Sequence, residues 1–128
     1  MLIWGFKTEA AFDVWSLEHL ANGIAMGAVA RRVTAAWFPQ PLTPGQRRFV
    51  EFILVLLLAL SWENIEHYVE AGVLPGLIGE RITFWFQGVE HWTNRLIADT
   101  LMVLLGWYIY TKQNRLFWIA RIFSALWL

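Results

Sequence analysis

The dipeptide Glu-His occurs three times in this chain and contains its only histidines: Glu18-His19, Glu66-His67 and Glu90-His91. Each pair lies in or beside a long apolar stretch. Ionisable side chains in apolar segments are costly unless they are paired or functional. The first question that the sequence poses is therefore whether the three pairs meet in space.

The composition indicates one small membrane domain. A chain of 128 residues is expected to form a single domain, here residues 1–128. It is 58% hydrophobic, which exceeds the share usual in soluble domains and favours an integral membrane protein. The net charge is zero, so nothing suggests nucleic-acid binding, and without cysteines the chain has no disulfide and no thiolate metal site.

The apolar runs predict an all-α polytopic membrane bundle. Three transmembrane helices are expected at roughly 12–34, 48–71 and 91–111, because about 20 apolar residues cross a bilayer core. Breaks at Pro39–Gly45 and around Pro75 separate them. An apolar helix is expected from Leu116 to Leu128, and it is either interfacial or a fourth span.

Arginine placement predicts an orientation in the bacterial inner membrane. Two arginine pairs, Arg31-Arg32 and Arg47-Arg48, flank the first connection. By the positive-inside tendency, this connection faces the cytoplasm, and the N-terminus and second connection face outward. The predicted localisation is thus a multi-pass protein of the cytoplasmic membrane.

This topology brings polar groups of three helices to one level. At 1.5 Å per residue, Asn22, Glu63 and Asp99 are expected on the order of 12 Å below the outer boundary. Glu63, Glu66 and His67 also share one helical stripe, from their i, i+3 and i+4 spacing. The sequence therefore predicts a polar pocket in the outer half of the bundle.

Roles for the pocket residues follow from their chemistry. The centre is expected to hold His19, Glu63, His67 and Asp99. The candidate acid–base residues are Glu63, Glu66 and Asp99, because crowding and burial raise carboxyl pKa values. The candidate ligand-binding residues are Asn22, Asn94, Arg95 and Trp62. A purely structural polar network is the alternative, in which Asp99 forms a buried ion pair with Arg95.

A divalent metal is one candidate cofactor for this pocket. Imidazole and carboxylate suit Zn, Fe or Mn. The expected ligands are His19, Glu63, His67 and His91. The sequence contains neither His-Glu-x-x-His nor the Glu-x-x-His pattern of di-iron helical bundles. A tetrapyrrole such as haem, held by a histidine, is the alternative cofactor.

Three short motifs resemble the VanZ-like integral membrane proteins and a related family of small bacterial inner-membrane proteins. The matching segments are residues 19–23 (His-Leu-Ala-Asn-Gly), 62–66 (Trp-Glu-Asn-Ile-Glu) and 94–106, which begins Asn-Arg-Leu-Ile-Ala-Asp. The resemblance implies a compact helical membrane fold with its polar residues on one side. It carries over His19, Glu63, Glu66, Asn94 and Asp99, whereas His67 and Glu90-His91 depart from the pattern.

Two functions compete at this point. In the first, the pocket binds an amphiphilic ligand or a metal and acts on it or only holds it, so enzymatic activity stays open. In the second, the chain is a non-catalytic accessory subunit of a larger membrane complex that carries pigment or haem. The expected partners are membrane lipids and other membrane subunits, with no nucleic acid.

Overall fold

The computed structural model describes residues 2–86 and 88–127. It contains five α-helices: α1 (Val14–Trp37), α2 (Pro44–Glu70), α3 (Gly76–Phe86), α4 (Thr100–Lys112) and α5 (Leu116–Trp127). A π-helical segment, Asn94–Asp99, leads into α4, and two short strands, β1 (Leu2–Trp4) and β2 (Ala10–Phe12), precede α1. The predicted helical character and the helix start at Leu116 agree with this, while Leu128 lies outside the described residues.

The prediction of a polytopic membrane bundle is wrong. Across residues 2–86 and 88–127, no helix has both the length and the apolarity that a membrane crossing requires. The two long helices carry ionisable residues along their length, such as Glu18 and Arg31 in α1 and Glu51 and Glu63 in α2. The third predicted span, 91–111, is divided, because α4 has only 13 residues and follows the π-helical segment. The multi-pass inner-membrane localisation and its orientation are overturned by the same finding.

The start of α1 is fixed by a reciprocal cap. The carboxylate of Asp13 accepts from the backbone N–H of Ser16 at 3.1 Å, and the Ser16 hydroxyl accepts from the backbone N–H of Asp13 at 3.2 Å. Both residues are almost completely buried. Capping satisfies two N–H groups that the first helical turn leaves without partners. It also places the Ser16 hydroxyl inside the protein, where it reaches the candidate site.

Helices α1 and α4 cross with their backbones in contact. A Cβ added at Gly23 would overlap the carbonyl oxygen of Val103, and one added at Gly106 would overlap that of Leu20. Small residues permit this approach because no side chain separates the two backbones. The crossing lies one turn beyond His19 in α1 and therefore sets the distance between that residue and the chain that leads into α4.

Small apolar residues fill the space around this crossing. One buried cluster consists of Ala30, Val55, Ala59 and Val103, from α1, α2 and α4. A second cluster, Ala21, Ile24 and Ala120, seats α5 on α1. Helix α5 thus packs on α1, and residues of α2 and α5 line one cavity beside it.

A separate polar contact closes the other end of the helix bundle. Glu51 of α2 is 1% exposed, and its carboxylate lies 3.5 Å from Nε of Arg31 and 3.4 Å from the indole nitrogen of Trp107. A buried carboxylate is stabilised when charged and neutral donors both reach it. Glu51 therefore has partners from both α1 and α4.

We predict that Gly23→Ala destabilises the protein by at least the ~1–3 kcal/mol that overpacking commonly costs, because the added methyl meets backbone that cannot rotate away. Chemical denaturation followed by circular dichroism measures this. The control is Gly45→Ala in the first turn of α2, where a Cβ meets no described atom within 4 Å. An equal free energy of unfolding for both variants would contradict the close crossing.

Candidate functional site

Three buried side chains from different helices meet beside the α1–α4 crossing. Nδ1 of His19 lies 3.6 Å from Oε1 of Glu63, and Nε2 of the same ring lies 3.4 Å from Oδ2 of Asp99. The side chains of Glu63 and Asp99 are 0% exposed and that of His19 is 7% exposed. One donor atom from each residue lies within 4.8 Å of the other two. We call this group the His19 cluster.

The π-helical segment orients Asp99 within the His19 cluster. A π-helix closes hydrogen bonds between residues i and i+5, so Asn94 and Asp99 stand one above the other. With its amide nitrogen facing the carboxylate, Asn94 donates to both oxygens of Asp99 at 3.1 Å. Ser16, whose position the α1 cap fixes, adds its hydroxyl at 3.3 Å. The carboxylate of Asp99 is therefore held in place by α1 and by its own segment.

Glu63 differs from Asp99 in its partners. In the part of the chain that the structure describes, neither carboxylate oxygen of Glu63 has a hydrogen-bond partner. Native proteins rarely leave a buried polar group unsatisfied, and such a group calls for an explanation, such as a bound ion. Glu63 is thus fully buried, and the Nδ1 atom of His19 lies 3.6 Å from its carboxyl group, beyond hydrogen-bond distance.

Burial sets the protonation of the His19 cluster. Desolvation lowers the pKa of His19 to about 4. Desolvation, reinforced by the charges of Glu66, Glu90 and Glu70, raises the pKa of Glu63 to about 9. The pKa of Asp99 rises to about 10, again chiefly through burial. Although His19 lies beside two carboxyl groups, the metal-free cluster at pH 7 therefore consists of a neutral imidazole and two carboxylic acids.

A second acidic group lies farther along α2 and is neutralised by a lysine. Oxygens of Glu66, Glu70 and Glu90 lie within 4.8 Å of one another. The ammonium of Lys7, which is only 8% exposed, lies 2.5 Å from Glu70 and 3.9 Å from Glu90. The backbone N–H of Glu90 also donates to Glu70 at 3.1 Å. Lys7 is thus the cation of this second group.

The neighbouring carboxyls in this second group also retain protons. Burial, followed by the charge of Glu70, raises the pKa of Glu66 to about 7 and that of Glu90 to about 8. The charge of Lys7 opposes both shifts but is the smaller effect. Crowded buried carboxyls cannot all ionise together, because each charge disfavours the next. The acidic residues of the two groups therefore act as one coupled set.

A cavity of about 380 Å³ adjoins the His19 cluster. His19 forms part of its wall, together with Glu18, Glu66 and the aromatic residues Trp15, Trp62 and Phe86. Its volume falls in the range that small-molecule sites occupy. The cluster and the cavity share the His19 side chain, so a ligand in the cavity contacts the group that holds the cluster together.

The structure brings together only some of the residues singled out from the sequence. His19, Glu63 and Asp99 meet, and Asn94 contacts Asp99. Asn22, Trp62 and Glu66 line the cavity instead. Asn22 accepts from the guanidinium of Arg121 at 3.0 Å.

The other two histidines lie outside the His19 cluster. Nδ1 of His91 lies 2.7 Å from the hydroxyl of Thr93, and its backbone N–H donates to the carbonyl of Lys7. His67 packs its ring against Tyr68, and within the described residues its buried Nδ1 has no hydrogen-bond partner. Within the described residues, His67 and His91 therefore do not join His19 and Glu63 in one group of potential metal ligands.

The alternative ion pair between Arg95 and Asp99 is also not formed among residues 2–86 and 88–127. An α-helix would place residues i and i+4 on one face, but the π-helical segment pairs Asp99 with Asn94 at i−5. Arg95 contributes only a distant positive charge, which lowers the pKa of Glu63 slightly against the larger effects of burial. The departure from α-helical geometry explains why Asp99 contacts Asn94 instead of Arg95, the partner that the sequence suggests.

Several residues of this region carried no recognisable signal in the sequence. Lys7 belongs to an N-terminal stretch without periodicity, and Arg121 lies in an apolar C-terminal helix. Ser16 follows Asp13 at the spacing of a helix cap, which is a signal for a helix start rather than for a site. Their contacts with the acidic residues and with Asn22 come from the tertiary fold alone.

Comparison with known proteins gives no relative: no family model, no curated protein and no solved structure matches the chain. The resemblance to VanZ-like proteins thus stays a prediction from three short motifs. The expectations about partner subunits, lipids and nucleic acid stay predictions as well. Any function must be argued from the geometry of the site.

We predict that the metal-free protein loses stability as the pH rises from 6.5 to 9. The folded state holds protons on carboxyls with raised pKa values, which the unfolded chain has released above about 4.5. Their stabilisation is complete below that value and is lost toward the folded pKa values of about 7 to 10. His19 acts oppositely, but only between pH 4 and 6.5. Thermal unfolding in a chelator measures the slope, and Glu63→Gln is expected to reduce it. An unchanged slope in this variant would refute the assignment.

We predict that Lys7→Met destabilises the protein by ~3–5 kcal/mol, because it leaves buried carboxylates without their cation. Denaturant unfolding at pH 8 measures the loss. The double variant Lys7→Met, Glu70→Gln should regain part of it, since it removes the charge that lost its partner. If the double variant were as unstable as the sum of two independent losses, the ion pair would not be the cause.

Proposed function

We propose that this chain binds a divalent metal ion of the Zn²⁺, Mn²⁺ or Fe²⁺ type, with His19, Glu63 and Asp99 as its protein ligands. The observation that supports this most directly is Glu63. It is a fully buried carboxylate that, among the described residues, makes no hydrogen bond although it faces an imidazole and a second carboxyl group. A cation between the three groups satisfies all of them.

The distances between the donor atoms suit such an ion. Ligands bound ~2.1 Å from a tetrahedral metal are separated by roughly 3.4 Å. His19 binds one ion through one ring nitrogen, so either its Nδ1, 3.6 Å from Glu63, or its Nε2, 3.4 Å from Asp99, is the ligand atom. With one donor atom from each residue, the three atoms lie within 4.8 Å of one another. Small side-chain rotations close the remaining gap. Asn94 and Ser16 hold Asp99 from behind, as outer-shell partners of metal ligands do.

The charge balance favours a divalent ion. The metal-free cluster is uncharged at pH 7, and binding of a divalent cation displaces the protons of Glu63 and Asp99. The product is two carboxylates, a neutral imidazole and a 2+ ion, which again sums to zero. An uncharged product avoids the large cost of net charge in a buried site. Three protein ligands also leave a coordination position for water or substrate, as in catalytic metal centres.

A proton-relay site is the second candidate function. The two ring nitrogens of His19 face different carboxyl groups, so an imidazole can pass a proton between Glu63 and Asp99. Both ring nitrogens of His19 face carboxyl groups, so neither points away from them toward a haem iron. The arrangement therefore favours a small cation over a tetrapyrrole. If the cluster is a proton relay without metal, Glu63→Gln should change the pH dependence of proton transfer and leave the metal content of the protein unchanged.

The test is metal binding by the purified protein after removal of bound ions. Titration calorimetry with Zn²⁺ and Mn²⁺ should give one saturable site and the release of about two protons at pH 7, measured in buffers of different ionisation enthalpy. Metal content after dialysis should approach one ion per chain. Absence of saturable binding for Zn²⁺, Mn²⁺ and, under anaerobic conditions, Fe²⁺ would exclude the metal centre and leave the relay.

Matched variants locate the ion. His19→Ala, Glu63→Gln and Asp99→Asn should each weaken binding by more than the ~10–100-fold that loss of an outer-shell partner costs, and Asn94→Leu should fall within that range. Glu51→Gln is the control, because Glu51 is equally buried on the same helix but has its own partners. A loss of binding in Glu51→Gln equal to that in Glu63→Gln would mean that the ion binds elsewhere or that folding is disturbed.

A further inference from the structure

We propose that the cavity beside the His19 cluster binds an organic monoamine with an apolar body, through the carboxylates of Glu18 and Glu66 and the aromatic rings that line the same cavity. This site is separate from the metal ligands, although His19 borders both. It therefore goes beyond metal binding and does not depend on it.

Two buried carboxylates line the cavity from different helices. Glu18 on α1 and Glu66 on α2 are each 9% exposed. Considering only the described residues, one oxygen of each carboxylate (Oε2) has no hydrogen-bond partner. Buried carboxylate oxygens normally have donors. An ammonium group supplies up to three donors and a compensating charge, so it can satisfy both residues together.

The cations already at the cavity do not fill this role. Lys7 is engaged by Glu70 and Glu90. The guanidinium of Arg121 donates to neutral oxygens, those of Asn22 at 3.0 Å and Ser124 at 3.2 Å, and so it stays on the α1–α5 side. Among the described residues, Glu18 and Glu66 therefore each keep an oxygen without a donor, and one ammonium group carries enough donors to reach both, which matches a ligand with a single amine.

Aromatic side chains complete a surface suited to an ammonium group. Trp15, Trp62 and Phe86 line the same cavity. Aromatic faces attract cations and also bury apolar carbon. Phe86 already shows this preference, because the ammonium of Lys7 lies 5.6 Å from its ring centroid. Trp62 and Glu66 both line this cavity, so an indole ring and a carboxyl group border the same space. Charge and apolar surface together define an amine with a hydrocarbon body.

The test uses 2-phenylethylamine as the probe, with 2-phenylethanol and 3-phenylpropionate as ligands of similar shape without the positive charge. Calorimetric titration at pH 8 keeps Glu66 above its pKa of about 7. The amine is expected to bind saturably and at least tenfold more tightly than the alcohol, because the alcohol cannot form a charge-assisted hydrogen bond with the carboxylates. The carboxylate should bind least. Tighter binding of 3-phenylpropionate would assign the cavity to anions through Arg121 and overturn the proposal.

Variants place the amine at the two carboxylates. Glu18→Gln and Glu66→Gln should each weaken amine binding about tenfold or more, with a smaller effect on the alcohol. Glu80→Gln, an exposed position on α3, is the control and should bind as the wild type does. Should a variant not fold, as judged by circular dichroism, the ligand series on the wild-type protein decides alone. Equal amine affinity in folded Glu18→Gln and Glu66→Gln would refute the site.

A chelator separates this proposal from the metal centre. The amine should bind equally well to metal-free protein in EDTA and to protein loaded with Zn²⁺. Binding that requires Zn²⁺ would mean that the amine coordinates the ion, which overturns the carboxylate site while the metal centre stands. Amine binding by a protein with no measurable metal affinity would support the carboxylate site and refute the metal centre.

Discussion

The contact between the backbones of α1 and α4 is the constraint on which the candidate site depends. Gly23 and Gly106 let the two helices approach until a single added methyl group would overlap a carbonyl oxygen. His19 lies one turn from this point, and Asp99 precedes α4 directly. Wider separation would leave the imidazole and the carboxyl group beyond each other's reach. The site is thus built on close approach of main chains rather than on large apolar side chains.

Burial of ionisable groups is the second organising feature. One region of the protein holds carboxyl groups from α1, from α2, from the π-helical segment before α4 and from Glu90. Desolvation opposes their ionisation there. The buried carboxyl groups in this region differ in their partners. Lys7 neutralises one group, Asn94 and Ser16 satisfy Asp99, and Glu63 is left without a hydrogen bond among the described residues. Glu63 lacks, among the described residues, the partners that Glu70 and Asp99 have, and this difference marks where a ligand fits.

The sequence predicted part of this arrangement. Apolar runs and Pro/Gly breaks predicted the long helices, and the predicted topology brought Asn22, Glu63 and Asp99 to one level. In the structure Glu63 and Asp99 meet at His19, while Asn22 lines the cavity. The sequence did not predict the π-helical segment, which replaces an Arg95 partner by Asn94, because one extra residue in a turn leaves no compositional trace. It also did not include Lys7 or Arg121, which reach the region only through tertiary contacts. The membrane assignment rested on overall apolar content and on the apolar runs, whereas no helix of the described residues combines the length and apolarity of a membrane span.

The segments that form this region are far apart in the chain, and this has a consequence for the order of folding. Ser16 and Asp99 are separated by 83 positions, and Lys7 and Glu70 by 63. Individual helices form quickly from local contacts, while closure of such long loops is slow. Until closure, the carboxyls remain hydrated and ionised at neutral pH. Protons therefore enter the protein together with the last tertiary contacts, and acidity becomes a determinant of the refolding rate. Stopped-flow refolding across pH 6 to 9 would reveal this as a rate that falls with rising pH, and a pH-independent rate would place proton uptake after the rate-limiting step.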